Sequence, residues 1–285
     1  MSNPALSNRR AEGAQNLIYQ ENHLKGSERQ QLLEYIASLQ PIWESRYSPS
    51  NPPPAGQPER WLLRPVYWLG NWQFACLDYY HPPKGIEFRC VEAERYPDFL
   101  QAIVQRIENR VHEHFAERDI PAQWQLNTCL INFYGSRQID GKWVDGARVG
   151  EHKDFEPGPV ASLSFGDRGL FQFVASKTKG HPSQVVRQMW LADNSLQIFG
   201  GDVWKKKYFH RVQRVEKKLN RNLAPQVEDF VSRRLNLTFR YVPREHIQPL
   251  HRFPAHLQAD LRPMIAQLAA KSEYFAAALI KSAPP

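Results

Sequence analysis

Apolar and polar residues alternate with a period of two along Arg234 to Arg240, which reads Arg-Leu-Asn-Leu-Thr-Phe-Arg. Successive side chains of a strand point to opposite faces, so the four polar residues would line one face and the three apolar residues the other. A second segment, Cys129 to Tyr134, is apolar enough to be buried on both faces but carries Asn132 and Tyr134 on one of them. Because a buried amide and a buried phenol need partners, the two strands predict a polar site. The first pattern alone also fits a strand with one solvent-exposed polar face.

Apolar residues at helical spacing predict three helices outside these strands. The first follows a capping box of Ser27 and Gln30 and would pack over the strands. The second has Pro97 in its first turn, and the third lies within His246 to Pro285 as a structural appendage. The stretch Ser48 to Pro58 is rich in proline, which predicts an exposed loop or a short polyproline segment.

The candidate chemistry begins with the triplet His152-Lys153-Asp154. If this triplet lies at the end of a strand, the imidazole and the carboxylate point to the same face. A histidine farther along the chain would complete the two-imidazole, one-carboxylate ligand set of non-haem Fe(II) oxygenases. His210 lies downstream of the triplet and ahead of the arginine strand and is the favoured residue for that position, with His181 as the weaker rival. A His-x-Asp pair alone is weak support, since ten histidines are scattered through the chain.

Length and charge narrow the class of protein. The chain has 285 residues, 42% of them hydrophobic, which suffices for a sizeable core in one catalytic domain with extensions. Its formal net charge is +8 and its pI about 9.4. This balance favours an anionic partner, and nucleic acid is the obvious one. A merely basic soluble protein is the alternative, because net charge does not show where the charges lie.

The cysteines and the N-terminal segment indicate the cellular compartment in which we expect the protein. Cys76, Cys90 and Cys129 cannot all pair with one another and show no zinc-binding spacing, which fits a reducing compartment. The stretch Met1 to Gln15 has no apolar signal region, and no run of 18 apolar residues occurs. We therefore expect a cytoplasmic protein, or a nuclear one if the source is eukaryotic, that is neither secreted nor membrane-bound. No obligate protein partner is evident.

Taken in order, four motifs resemble those of the AlkB-like 2-oxoglutarate- and Fe(II)-dependent dioxygenases: Asn132-x-Tyr134, His152-x-Asp154, His210 and Arg234 to Arg240. The segments Ser162 to Gly166 and Phe171 to Phe173 are similar to the family's paired strands. The resemblance implies an α+β fold, a double-stranded β-helix (jelly-roll) barrel with covering helices. We expect this domain over residues 16–247, between a flexible tail at 1–15 and a C-terminal helical extension at 248–285.

The resemblance also implies the metal centre. His152, Asp154 and His210 would hold Fe(II) and leave coordination positions for 2-oxoglutarate and dioxygen. Arg240, on the closing strand, is expected to act beside them.

The cosubstrate, by the same resemblance, is held by two guanidinium groups. Arg240 with Asn132 would bind the carboxylate near the iron, and Arg234 with Tyr134 the distal carboxylate, assisted by Asn236. Arginine suits this task because its planar fork matches a carboxylate in a partly dry site.

The implied reaction is oxidative demethylation of N-alkylated bases in DNA or RNA, as in DNA repair or RNA modification, with release of formaldehyde, succinate and CO2. A 2-oxoglutarate-dependent hydroxylase or demethylase of protein or a small molecule is the alternative. A binding protein on a barrel that has lost catalysis is a third possibility. Phe155 stands where relatives often carry an acid that positions the base, so the substrate stays open.

Candidate substrate contacts come from two segments. Trp68, Tyr79 and Tyr80 lie where relatives have an aromatic lid and could stack on an extruded base, although core packing is the safer interpretation for most aromatics here. Lys177 and Lys179 lie in a predicted turn that could touch a phosphate backbone, with a solvated turn as the alternative. The run Lys205 to Lys207 is similarly predicted to be an inserted phosphate-contacting loop.

The segment Gly135 to Gly150, between the Asn132 strand and the His152 motif, is predicted to be a long loop.

Overall fold

The computed structural model describes residues 16–78, 89–145, 148–175, 183–213, 223, 227 and 229–282. Its helices are α1 (Gly26–Ser38), α2 (Asp98–His114), α3 (Ala255–Ala269) and α4 (Glu273–Lys281), with a π-helix at Asp202–Lys207. Its strands are β1 (Leu17–Gln20), β2 (Val66–Leu69), β3 (Asn71–Trp72), β4 (Cys90–Glu92), β5 (Thr128–Ile139), β6 (Lys142–Val144), β7 (Val149–His152), β8 (Val160–Gly166), β9 (Gly169–Val174), β10 (Val185–Leu191), β11 (Ser195–Phe199), β12 (Phe209–Val212), β13 (Phe230–Arg240) and β14 (Ile247–Gln248). None of the described helices is both long and apolar enough to cross a bilayer.

Two antiparallel sheets form the body of the structure. The larger has the order β1-β11-β8-β13-β5-β2, with β6 paired to the end of β5, and the smaller has the order β10-β9-β12-β7. From β5 onwards the chain passes repeatedly between them, with β5, β8, β11 and β13 in the larger sheet and β7, β9, β10 and β12 in the smaller. Eight strands distributed in this way make a jelly roll. The predicted α+β double-stranded β-helix with covering helices is confirmed.

The central strands of the larger sheet, β5, β8 and β13, are largely buried on both faces. Leu235, Leu237 and Phe239 of β13 belong to the same apolar cluster as the buried residues of α1 and α2. The opposite face of β13 carries Arg234 and Asn236, which are also buried. Helices therefore cover one face, and the other lines the barrel interior. The alternative of a solvent-exposed polar face is wrong for this strand, because the smaller sheet packs across it.

The C-terminal helices contribute to the same core. Leu261 and Ile265 of α3 and Phe275 of α4 are fully buried in the cluster that contains the larger sheet. The ring of Phe275 meets Trp72 edge to face at a centroid distance of 5.6 Å. The segment predicted as a C-terminal appendage thus packs against the body of the protein.

Two local predictions are wrong. Helix α1 begins at Gly26, and the Glu28 carboxylate accepts a hydrogen bond from the backbone N–H of Lys25 at 3.1 Å, so Ser27 and Gln30 do not form the capping box. The predicted loop from Gly135 to Gly150 is mostly strand, since β5 continues into a hairpin with β6. The turn residues Asp140 and Gly141 both have positive φ, 49° and 73°, which suits a tight hairpin.

A buried carboxylate supports the core beside β3. Glu44 is fully buried and accepts hydrogen bonds from the indole N–H of Trp72 at 2.5 Å and the backbone N–H of Ala75 at 2.9 Å. Burial raises the pKa of Glu44 to about 7, although these hydrogen bonds oppose the shift. The charged form is therefore disfavoured in the folded protein.

Glu44 predicts a pH dependence of stability. Its folded-state pKa of about 7 lies above the ordinary value of 4.5, so the native state binds this proton more tightly than the unfolded chain does. Its contribution to stability is complete below pH 4.5 and declines as pH rises through about 7. In urea denaturation across this range, the free-energy advantage of the wild type over Glu44→Gln should shrink as pH rises. An advantage independent of pH would contradict this.

Candidate active site

The His152, Asp154 and His210 side chains meet at the mouth of the barrel. Strands β7 and β12 pair with His152 directly opposite His210, and the two ring centroids are 4.2 Å apart. Asp154 lies two residues beyond the end of β7, with its Oδ2 atom 3.4 Å from Nε2 of His210. One potential ligand atom from each residue lies within 4.8 Å of the others. Strand pairing therefore brings together three residues that span nearly 60 positions of sequence.

The surroundings set the protonation state of each member. Burial, together with the neighbouring His152, lowers the pKa of His210 to about 3, against the opposing effect of Asp154. Burial also lowers the pKa of His152, against the opposing effect of Asp154. For Asp154, burial favours the protonated form, but Arg240 and the two histidines outweigh it and hold the pKa well below its ordinary range. Two neutral imidazoles and one carboxylate are the forms that bind a metal ion.

The unsatisfied atoms of this group fit a divalent cation. Nδ1 of His152 lies 2.8 Å from the carbonyl oxygen of Gly150. When Nδ1 carries the proton and donates it in a hydrogen bond to this oxygen, Nε2 has a free lone pair and can bind a metal ion. Oδ2 of Asp154 and Nδ1 of His210 are buried without a hydrogen-bond partner. Buried polar atoms rarely stay unsatisfied, and a metal ion coordinated by this group would supply the missing interaction for the carboxylate. The residues present therefore fit Fe(II).

A cavity of about 590 Å³ opens beside the group. Seven of the predicted site residues line it: Asn132, Tyr134, His152, Asp154, His210, Asn236 and Arg240. Phe171, Leu191 and Phe199 add an apolar wall. The size is typical of a small-molecule site, and the polar side chains on the wall offer hydrogen-bond and ionic partners to a ligand.

Hydrogen bonds fix the polar wall before any ligand binds. Nε of Arg240 lies 2.8 Å from Oδ1 of Asp154 and 3.7 Å from Oε2 of Glu156. Nδ2 of Asn236 donates to the Ser162 hydroxyl at 2.7 Å, and its Oδ1 accepts from Thr238 at 2.8 Å. Connected polar groups of this kind hold their geometry because each is oriented by the next.

Arg234, the fifth member of the predicted cosubstrate set, does not line the cavity. It is almost fully buried behind Tyr134, with its guanidinium 5.3 Å from the centroid of the tyrosine ring. Its Nη2 donates to the hydroxyl of Ser164 at 3.1 Å. Arg234 thus supports the cavity wall from outside it.

Of the five predicted substrate contacts, the described residues include only Trp68. Trp68 is 1% exposed in β2, a strand buried along its whole length, so the prediction that it stacks on a substrate is wrong. Tyr79, Tyr80, Lys177 and Lys179 lie outside the described residues, as does His181.

Lys205 does not form a phosphate-contacting loop. The π-helix that carries it turns its side chain inward, where Nζ donates to the carbonyl oxygens of Glu156 and Gly158, the latter at 2.6 Å. These carbonyls belong to the loop that follows Asp154. Burial lowers the pKa of Lys205 to about 8, against the opposing effect of Asp154 and Glu156. Lys205 therefore anchors the loop that carries the carboxylate of the metal-binding group.

Arg64 is a cavity-lining residue that the sequence did not predict. Arg64 precedes β2, and its Nε donates to Oδ1 of Asn132 at 2.5 Å. It lines the cavity and is 7% exposed. No local motif marks it, because it comes from an irregular segment 68 residues before Asn132.

Comparison with known proteins gives the class. The profile of the 2OG-Fe(II) oxygenase superfamily matches residues 16–240, and the chain belongs to this superfamily. It is a 2-oxoglutarate-dependent dioxygenase that uses Fe(II), 2-oxoglutarate and dioxygen, and those predictions are confirmed. No curated protein matches the sequence.

Two solved structures resemble the fold at low identity. OsALKBH1 is 19% identical, with coverage of 80% of this chain and 97% of its own and a TM-score of 0.49. YcfD, a ribosomal oxygenase from Escherichia coli solved with cobalt and succinic acid, is 12% identical and has a TM-score of 0.33. The match covers 92% of this chain and 65% of YcfD. Likenesses this weak say nothing about the substrate.

The metal-binding group predicts a spectroscopic result. Anaerobic titration of the wild type with Fe(II) and 2-oxoglutarate should produce a metal-to-ligand charge-transfer band, and His152→Ala should abolish it, because one of three protein ligands is lost. His114→Ala, a control at an exposed position on α2, should leave the band intact. A band of undiminished amplitude in His152→Ala would show that the metal lies elsewhere.

The Lys205 anchor predicts a loss of stability. Lys205→Met should lower the free energy of unfolding by about 2 kcal/mol, because two buried carbonyl oxygens lose a charged donor. Lys206→Met, at the neighbouring exposed position, should change stability little. Urea denaturation of the two variants tests this, and equal stabilities would contradict the anchoring role.

Proposed function

We propose that this dioxygenase is an AlkB-like oxidative demethylase of N-alkylated bases in DNA or RNA, which releases formaldehyde, succinate and CO2. The observation that carries the proposal is the composition of the cavity mouth. Exposed Arg46 and Arg148 and the partly exposed Lys153 line it together with two exposed apolar side chains, Leu63 and Phe155. Cations suit the phosphates of a nucleotide, and apolar surface suits the face of its base.

The cavity itself supports the same proposal. Its 590 Å³ would accommodate 2-oxoglutarate and a base that has left its stack. The exposed Phe155 offers a ring at the position where relatives often carry an acid, so contact with the base there would be apolar. The cost of extrusion, a few kcal/mol in a duplex, favours damaged or single-stranded substrates.

The chain's own residues would divide the work as follows. Bound Fe(II) supplies the activation of dioxygen coupled to loss of CO2 from 2-oxoglutarate. Asn132 and Tyr134 would orient the cosubstrate together with Arg240, which also keeps Asp154 ionised. The apolar wall near His210 would exclude water from the reacting methyl group.

The nucleic-acid substrate predicts a salt-dependent interaction. Binding of a methylated single-stranded oligonucleotide, followed by fluorescence anisotropy, should weaken steeply with salt as counterions are released. Arg46→Ala/Arg148→Ala should weaken binding and reduce the slope of log K against log salt by about 1.4, or about 0.7 for each lost phosphate contact. The charge-matched control Arg244→Ala/Lys271→Ala, at exposed positions away from the cavity, should leave the slope unchanged.

Product analysis is the second test of the proposed demethylation. With the wild type, mass spectrometry should show a demethylated base and equimolar formaldehyde and succinate, and Asp154→Ala should yield neither. Succinate formation with a peptide or a small molecule, but with no methylated oligonucleotide, would overturn the proposal in favour of a protein or small-molecule oxygenase.

A further inference from the structure

Arg64 touches both residues of β5 that face the cosubstrate end of the cavity. Its Nε donates to Oδ1 of Asn132 at 2.5 Å, and its guanidinium carbon lies 5.6 Å from the centroid of the Tyr134 ring. Arg64 itself lines the cavity. A guanidinium over an aromatic face and on a side-chain amide is held at two points, so its position is well defined.

The hydrogen bond decides which way the Asn132 amide faces. An amide presents an acceptor oxygen on one side and two N–H donors on the other. Because Oδ1 is turned to Arg64, the N–H groups of Asn132 are the ones left to meet a ligand. A carboxylate in the cavity needs donors, and the flipped amide would offer it an oxygen instead.

The charge of Arg64 acts at the same place. Arg240 is engaged by Asp154 beside the metal-binding group, and Arg234 lies behind the ring of Tyr134 rather than on the cavity wall. Arg64 brings a guanidinium onto the wall itself. A dicarboxylate in a partly dry cavity is stabilised by positive charge that is already in position.

We propose that Arg64 is a positioning residue of the 2-oxoglutarate site. It holds the amide of Asn132 with its N–H groups toward a cosubstrate carboxylate and adds positive charge at the Tyr134 end of the cavity. The proposal rests on the use of 2-oxoglutarate, which the superfamily establishes, and is independent of the nucleic-acid substrate.

The alternative is a purely structural role. Arg64 also lies near buried Glu44, whose pKa it lowers slightly against the effect of burial. A structural arginine would affect stability and leave cosubstrate affinity unchanged in any variant that folds. Cosubstrate affinity and thermal stability therefore separate the two roles.

The test is anaerobic calorimetry of 2-oxoglutarate binding with Mn(II) in place of Fe(II). Arg64→Met should weaken 2-oxoglutarate binding by about tenfold or more, equivalent to about 1.4 kcal/mol. Mn(II) affinity measured without 2-oxoglutarate should stay unchanged. Arg64→Lys should be intermediate, because lysine keeps the charge without the fixed fork. The matched control Arg60→Met, an exposed arginine on the same segment, should bind like the wild type.

A double-mutant cycle tests whether Arg64 acts through the amide. In the Asn132→Ala background, Arg64→Met should cost much less than in the wild type, because the group that it orients is gone. Full additivity of the two losses would overturn the positioning role.

The remaining outcomes are decisive as well. Unchanged 2-oxoglutarate affinity in Arg64→Met, with a raised KM for an oligonucleotide, would assign Arg64 to the substrate and overturn the proposal. If Arg64→Met does not fold, Arg64→Lys decides, and wild-type affinity in that variant would overturn it too. No nucleic acid enters the binding measurement, so failure of demethylation leaves this result untouched.

Discussion

The buried ion pair between Asp154 and Arg240 is the interaction on which the site depends. Arg240 ends β13 in the larger sheet, and Asp154 follows β7 of the smaller sheet, so the pair joins the two walls of the barrel. A buried carboxylate without a cation would take up a proton and become a poor ligand. The guanidinium keeps it ionised beside two neutral imidazoles, and this combination makes the group able to hold a divalent metal.

The two-faced character of β13 connects the fold to the site. Its leucines and Phe239 pack under the helices, and Arg234 and Asn236 point to the other side of the sheet. A slip of register by one residue would exchange the two faces. The burial that stabilises the fold therefore also specifies which polar groups enter the barrel. Burial of Lys205 likewise links the fold to the site, because its Nζ donates to backbone carbonyls of the loop beyond β7 and so anchors that loop.

Local composition was a poor guide to exposure. The aromatic-rich stretch around Trp68 and the lysine run around Lys205 both resembled binding surfaces, yet both side chains are buried. Trp68 lies in a strand that neighbouring elements cover on all sides, and a π-helix turns Lys205 inward. Neither property is visible in a short window of sequence, because each depends on elements that are distant along the chain.

Strand period alone predicted that β13 has one polar and one apolar face, because period is a local property of the sequence. The jelly roll, the dioxygenase class and the three residues of the metal-binding group were predicted from the resemblance of four ordered motifs to the AlkB-like family. Tertiary structure alone decided that Arg234 stands behind Tyr134 and that Arg64 stands on the cavity wall. Arg64 reaches Asn132 across 68 residues through the pairing of β2 with β5. Contacts of this kind arise from the packing of whole elements, and no single segment of the sequence encodes them.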